Sequence, residues 1–479
     1  MLKHPRILLI NVCLRYDTPL SALPVGLACI ATALRDAGYL PEILDIDLHR
    51  LSDDAVREHL ERNRYDIIGL GNIISGYRHT KRLCQLAKAV QPDALLVVGN
   101  TVASIPEQLL GWNPEVDVAV LGEGDRTIVE LARAWAGGTS LEAVAGIALR
   151  VDGKVVRTPV RECVPRLEDV PFPDFTLFEL EKYLEFSWKF VPEPHPIKRE
   201  LMLSLPVNTA RGCPFDCTFC YHAFKACPYR YYSFESAVQY FQEMQRRYKV
   251  QYLNFWDELT LVSRPRAVEL CDALERNDCK AYWPVGPRGN LFKAQDLDLL
   301  RRCASLGATT IGGALESGAP EILAAMNKKI SPEEFIEQMQ TGYRAGLVPN
   351  TSVVFGYPQE TKETIAQTLL VCERAGVYPS AGYVLPLPNT RIYEHCRKRG
   401  LITDEEAYLL RIADRQDLHV NLTAMPDEEL VSTVTEGLIR LKDKLGIPLS
   451  DKDVIKTTYY RAARRNADGS GVGARQDGV

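Results

Sequence analysis

No apolar run in this 479-residue chain approaches the roughly 18–20 residues that a membrane-spanning helix needs, which excludes an integral helical membrane protein. Charge of one sign is not in excess. The 57 Lys and Arg against 62 Asp and Glu give a net charge of −5, which excludes a nucleic-acid binder held by bulk electrostatics. The opening residues Met1-Leu2-Lys3-His4-Pro5-Arg6 precede a short apolar run, without a signal peptide's long apolar core or small-residue cleavage site. Thirteen cysteines, an odd number and widely scattered, lack the order of a disulfide framework. These absences predict a protein of the reducing cytoplasm. The length is ample for two or three domains, and a hydrophobic fraction of 46% is ordinary for a globular chain.

What is present is concentrated in one stretch: Arg211-Gly212-Cys213-Pro214-Phe215-Asp216-Cys217-Thr218-Phe219-Cys220-Tyr221. The spacing is Cys-x3-Cys-x2-Cys. Three thiolates on one tight loop can hold three irons of a [4Fe–4S] cluster and leave the fourth iron open to another ligand. A zinc site calls for a second ligand pair at tetrahedral spacing, and none follows nearby.

The chain around this loop reads as α/β throughout. Apolar runs of strand length at 7–12, 67–70, 94–98 and 116–121 alternate with amphipathic stretches at 25–36, 53–63, 78–90 and 127–136. Continuous apolar strands separated by helices predict a buried parallel sheet, hence a doubly wound domain over residues 1–160, closed by a hairpin turning at Asp152-Gly153. Ligands in such sheets sit beyond the carboxyl ends of the strands. Residues 161–200 are rich in Pro, Phe and Glu and read as a linker wrapping from one domain to the next. Strand patterns at 203–208, 252–255, 281–285, 309–314, 351–355 and 381–385 predict a partial (β/α)6 barrel over 201–400, with its chemistry at the C-terminal strand ends. Residues 401–465 read as helical and 466–479 as a disordered tail.

The cysteine loop resembles that of the radical S-adenosylmethionine (SAM) superfamily. The resemblance implies that the open iron binds the amino and carboxylate groups of SAM. Reductive cleavage then gives methionine and a 5′-deoxyadenosyl radical, which abstracts a substrate hydrogen. Further positions follow by the same resemblance. Phe219, before the last cysteine, packs near the adenine, with Tyr221 on its other side. Glu316 and Ser317, in Ala314-Leu315-Glu316-Ser317-Gly318, match a Glu-Ser-Gly element whose carboxylate hydrogen-bonds the SAM ribose. Gly356, Pro358 and Glu360 match a Gly-x-Pro-x-Glu-Thr turn lying along SAM. Arg288 reads equally as a partner of the SAM carboxylate or as a surface arginine. Asp257 and Glu258 stand after the second barrel strand as candidate catalytic carboxylates, with a solvated acidic pair as the alternative. Cys227, seven residues beyond the loop, reads as a lone, small apolar residue, with an auxiliary-cluster ligand or a chemical role as the alternative, and His222 carries no assigned chemistry.

Residues 1–140 resemble the cobalamin-binding domain that precedes many radical SAM cores, through Pro24-Val25-Gly26-Leu27, Val97-Val98-Gly99, Ile105-Pro106-Glu107 and Gly122-Glu123-Gly124-Asp125. The linker phrase Pro171-Phe172-Pro173-Asp174 fits the same branch. The Asp-x-His-x-x-Gly motif of other cobalamin proteins is absent, as is usual there. Gly99-Asn100 departs from the branch's Gly-Gly, placing a side chain where backbone should approach the ligand. Bound cobalamin therefore stays open from sequence. Asn389 likewise replaces glycine in a Pro-x-Pro-Gly-Thr turn.

Three functions follow. The first is a radical dehydratase working without cobalamin on a polar, sugar-like substrate, resembling the radical SAM diol dehydratases of aminoglycoside antibiotic biosynthesis. The second is a cobalamin-dependent radical SAM C-methyltransferase. The third is a non-catalytic cobalamin or SAM sensor, disfavoured by the complete cysteine loop. The short chain, Asn100 and the strand-end acids place the dehydratase first. An electron donor such as flavodoxin or ferredoxin is the implied partner.

Overall fold

A computed structural model describes residues 4–16, 22–193, 195–221, 227–413 and 416–455. His222, the tail 466–479 and the last part of the expected helical region lie outside the described residues. In chain order the first part runs β1 (Ile7–Asn11), α1 (Val25–Asp36), β2 (Glu42–Asp45), α2 (Ile46–His49), α3 (Asp53–Arg62), β3 (Ile67–Gly71), α4 (Tyr77–Val90), β4 (Leu95–Gly99), α5 (Pro106–Trp112), β5 (Val118–Val120), α6 (Gly124–Gly137), β6 (Ile147–Val151) and β7 (Lys154–Arg157).

The seven strands form one sheet in the order β2-β1-β3-β4-β5-β6-β7. The first five are parallel and the last two antiparallel. The inner strands β1, β3 and β4 are almost wholly apolar because helices cover both faces, as their sequence runs predict, whereas the edge strand β2 begins at Glu42 and ends at Asp45. The chain order reverses between β1 and β3, so a crevice opens at their carboxyl ends. The β6–β7 hairpin turns through Asp152 (φ 48°) and Gly153 (φ 76°), the two positive φ angles that a tight turn matched to strand twist requires. Helix α5, begun by Pro106, was not expected from periodicity; at seven residues it is too short to show one.

The second part comprises α7 (Leu180–Phe186), β8 (Ser204–Val207), β9 (Ala210–Arg211), β10 (Arg230–Tyr231), α8 (Phe234–Tyr248), β11 (Tyr252–Phe255), α9 (Arg264–Arg276), β12 (Trp283–Val285), α10 (Leu297–Ser305), β13 (Ala308–Ile311), α11 (Pro320–Ala325), α12 (Pro332–Arg344), β14 (Val348–Pro349), β15 (Ser352–Phe355), α13 (Lys362–Ala375), β16 (Ser380–Tyr383), α14 (Arg391–Lys398), α15 (Glu405–Arg411) and α16 (Asp427–Lys444). Strands β8, β11, β12, β13, β15 and β16 follow one another as a parallel arc, joined where ladders lapse by single bridges at Tyr252–Tyr282 and Glu316–Val353. This is the six-strand partial barrel that the alternating pattern predicts.

Linker residues knit the two parts together. Phe172 stacks on Tyr232 and Tyr240 of the barrel, with ring centroids 4.4 and 4.6 Å apart. Two residues on, Asp174 takes the Thr32 hydroxyl through its backbone N–H and pairs with Arg35, both on α1. One apolar core consequently runs without a break from the sheet through Phe175, Leu180 and Tyr183 into Phe234 and Trp283 of the barrel.

Candidate active site

The cysteine loop leaves β9 at Gly212, whose φ of 85° an L-residue rarely adopts. The loop is docked rather than loose. Thr218 donates its N–H to the Met326 carbonyl at 2.9 Å and its hydroxyl to the Ala325 carbonyl at 3.1 Å. Its own carbonyl accepts the Ile392 N–H, and Asn327 Nδ2 donates to the Asp216 carbonyl at 2.8 Å. Cys217 is buried, Cys213 half-buried and Cys220 exposed. Although the residue is exposed, neighbouring side chains desolvate its sulfur, and this together with the charges of Cys217 and Cys213 pushes the Cys220 thiol up to about 12. Among the described residues no three His, Cys, Asp or Glu side chains converge on a point for one ion. Three thiolates on one loop can each take a different iron of a four-iron cluster.

The other expected positions divide into two sets. Arg288 lays its guanidinium carbon 3.7 Å from the Phe215 ring centroid, inside the loop. Its Nε and Nη2 are buried without hydrogen-bond partners among the described residues, and its charge acts on Cys213. It is not the surface arginine that was the alternative. Glu316 holds φ at +65°, a strained value for a glutamate, and its carboxylate accepts Lys328 Nζ at 3.0 Å. Both side chains are nearly buried, and both act electrostatically on Cys220. Phe219 packs on the apolar cluster that holds Tyr357, and Tyr221 lines the cavity described below.

The second set serves the scaffold. Ser317 Oγ bonds Thr368 Oγ1 and accepts the Ala319 N–H at the head of α11. Gly356 (φ 88°) and Pro358 shape their turn, but Glu360 points into it, accepting the Gly356 N–H at 3.2 Å and the Thr364 hydroxyl at 2.6 Å. Burial raises that carboxyl to about 7. From the same turn Tyr357 reaches Thr218 of the cysteine loop. Asp257 is neither solvated nor aimed at the cavity. It accepts the Thr209 N–H and hydroxyl, both at 2.6 Å, and the Ala210 N–H at 3.0 Å. Burial outweighs these bonds and raises its pKa. It fixes the backbone feeding the cysteines, while its neighbour Glu258 faces the cavity.

That cavity, about 620 Å³, lies between the sheet's carboxyl ends and the barrel. Its floor includes Gly69, Gly71, Gly99, Gly122 and Gly124, and its barrel side Asn208, Tyr221, Trp256 and Glu258. Glycines at successive strand ends leave a broad floor, which fits a large flat ligand such as a corrin; among the described residues no histidine lines it. Asn100 is the one floor residue carrying a side chain where glycine was expected. Its φ of 61° and ψ of −162° are nearly exclusive to glycine, and its Oδ1 accepts the Thr101 N–H at 2.6 Å. Asn389 (φ 67°) likewise keeps a left-handed turn and donates across to the Ser104 carbonyl at 2.9 Å.

Two features had no local signal. The acids of Gly122-Glu123-Gly124-Asp125 face arginines of the barrel. Asp125 takes Arg211 in a fork at 2.8 and 3.0 Å, and Glu123 takes Arg230 at 2.9 and 3.1 Å and Arg211 at 3.1 Å. Burial opposes ionisation of both acids, but the arginines prevail and hold both carboxyls below the ordinary range. The reading of every cysteine outside the cluster loop as a thiol needs correction at one pair. Cys227 is disulfide-bonded to Cys163 of the linker, with Cα atoms 5.9 Å apart. The two stand 64 residues apart in sequence, so only the wrapping of the linker brings them together.

Fold and loop thus define an α/β protein with a cluster-binding barrel and a doubly wound partner domain. The family described as "B12 binding domain" matches residues 11–132, and "Radical SAM superfamily" matches residues 207–372. Residues 207–372 thus form a radical SAM domain and residues 11–132 a B12-binding domain, and the radical SAM match implies a [4Fe–4S] cluster and SAM as cofactors. It is 25% identical over 382 residues to an uncharacterized methyltransferase of Pyrococcus horikoshii, covering 79% of each chain. It is 29% identical over 352 residues to the anaerobic magnesium-protoporphyrin IX monomethyl ester cyclase of Rubrivivax gelatinosus, covering 72% of this chain and 61% of that one. Among solved structures, the radical SAM methyltransferase TsrM from Kitasatospora setae, with cobalamin and a [4Fe–4S] cluster bound, superposes with a TM-score of 0.68 at 17% identity, covering 96% of this chain and 99% of that one.

Proposed function

We propose that this chain is a cobalamin-dependent radical SAM methyltransferase acting on an unactivated carbon of a small, polar substrate. The observation that carries the reading is the cavity: its glycine floor lies on the B12-binding domain, and Tyr221, next to the third cysteine, stands in its wall. Methyltransferases among the similar proteins support the same reading over dehydration. Residues 1–160 seat the corrin, residues 201–400 hold cluster and SAM, and the linker seals the space between. Cobalamin, when bound, supplies a cobalt centre able to carry a methyl group. Arg288, with its unspent N–H groups beside Phe215, takes the SAM carboxylate. Glu316, set by Lys328, takes the ribose. Glu258 holds or moves a proton at the substrate. A flavodoxin or ferredoxin supplies the electron.

Asn100 supports a second reading, cobalamin-free radical dehydration of a sugar-like substrate, because its side chain takes space on the corrin side of the cavity. The deciding experiment is anaerobic preparation with cobalamin supplied, quantifying iron, sulfide and cobalt, followed by incubation with methyl-labelled SAM. Four irons, stoichiometric cobalt and label in product support methyl transfer. Four irons without cobalt after reconstitution in excess overturn it in favour of the dehydratase.

A further inference from the structure

The three cysteines stand in sequence between two short strands, β9 and β10, that pair in one small ladder. Strands β9 and β10 have only two residues each, and Arg211 is paired in register with Arg230. So short a ladder is weak alone, yet it forms the entire base of the cluster-bearing loop. Both of its arginines are spoken for by the N-terminal domain. Asp125 grips Arg211 in a fork, while Glu123 bridges Arg211 and Arg230. Glu123 Oε2 also accepts the Val164 N–H at 3.0 Å, and the Val164 carbonyl accepts Arg230 Nη1 at 2.6 Å. The four charged side chains are only 5–11% exposed. Gly124 presses the acidic turn onto α1, since a Cβ there would come within 2.8 Å of Ile30. Residues 122–125 and Arg211 all line the cavity.

We propose that Glu123 and Asp125 are positioning residues for the cluster: from the floor of the ligand cavity they clamp both ends of the cysteine-bearing segment. The N-terminal domain thereby sets where the cluster stands over the cavity, in addition to supplying the floor. With the clamp in place the ladder base cannot open, because opening it strands buried arginines. With either acid neutralised, two buried arginine charges are left with one carboxylate between them and the base frays. The inference rests on the radical SAM assignment and not on which reaction follows.

The test compares Asp125→Asn, Glu123→Gln and the milder Asp125→Glu with Glu406→Gln. Glu406 accepts Lys81 and Tyr77 of α4, joining the same two parts of the chain far along the sequence from the cysteines. Backbone hydrogen exchange is measured on the metal-free full chain. Exchange at residues 210–213 and 227–231 should rise about 100-fold or more in Asp125→Asn and Glu123→Gln, less in Asp125→Glu, and stay unchanged in Glu406→Gln. On the reconstituted proteins, the shift in the reduced cluster's electron paramagnetic resonance on adding SAM should be altered in the first two and restored in Asp125→Glu. Acceleration spread evenly over the chain, or equal in Glu406→Gln, makes the network general interdomain adhesion and overturns the proposal. So does an unchanged SAM-induced spectral shift in a folded Asp125→Asn or Glu123→Gln protein.

Discussion

Asn100 offers the sharpest quantitative test, because replacing it by Gly and by Ala separates backbone strain from side-chain bonding. Its φ of 61° and ψ of −162° lie in a region occupied almost only by glycine; holding a residue with a Cβ there costs about 1–3 kcal/mol. Its side chain offsets part of this by accepting the Thr101 N–H at 2.6 Å, a bond contributing about 1 kcal/mol net. Asn100→Ala keeps the strain and loses the bond, so it should destabilise by about 1–2 kcal/mol. Asn100→Gly loses the same bond and about 0.4–1 kcal/mol through the freer unfolded chain, but sheds the strain, leaving it near wild type. Chemical denaturation should therefore rank Gly above Ala by about 1–2 kcal/mol, the reverse of an ordinary strand or helix position. The same change clears the cavity floor beside Gly71, where a Cβ would meet that of Asn100 at 3.2 Å. Anaerobic reconstitution followed by gel filtration and optical spectroscopy should show the Gly variant retaining more cobalamin than wild type. Ala equal to or above Gly in stability, or less cobalamin retained by Gly, refutes the reasoning.

Asp257→Ala leaves the Thr209 and Ala210 N–H donors without their acceptor; it should cost about 2–4 kcal/mol and lower iron incorporation, read by thermal melting and iron assay. Glu360 gives a pH signature. Its carboxyl is raised from 4.5 to about 7 in the fold, so its contribution is fully present below about 4.5 and lost as pH rises through about 7. The stability difference between wild type and Glu360→Gln should then fall by up to about 3 kcal/mol from pH 4.5 to 8, and a flat difference contradicts the assignment. Cys227→Ser opens a closure of 64 residues and should cost about 2–4 kcal/mol; an equal melting temperature for variant and oxidised wild type counts against the bond.

The cysteine loop, both strand series and the Asp152-Gly153 hairpin were legible because each depends on neighbours in sequence: thiol spacing, unbroken apolar runs, a turn dipeptide. Glycine positions were legible too, and the two asparagines in their places keep the left-handed backbone. Direction was harder to read. Asp257 and Glu258 are adjacent, and nothing in the dipeptide says that the first turns to Thr209 while the second faces the cavity. Glu360 read as a SAM neighbour but closes its own turn.

By itself, then, the sequence determined the chemistry the protein is equipped for and the two folds that carry it, since iron ligation and secondary structure answer to short-range pattern. Only the tertiary structure decided which charges meet across the domains. Glu123 and Asp125 read only as part of a motif resembling the cobalamin-binding domain, and Cys163 and Cys227 as unrelated thiols. Their partners lie 64 to 107 residues away. Pairing at that distance is set by how the linker wraps and the barrel docks, which no local pattern encodes.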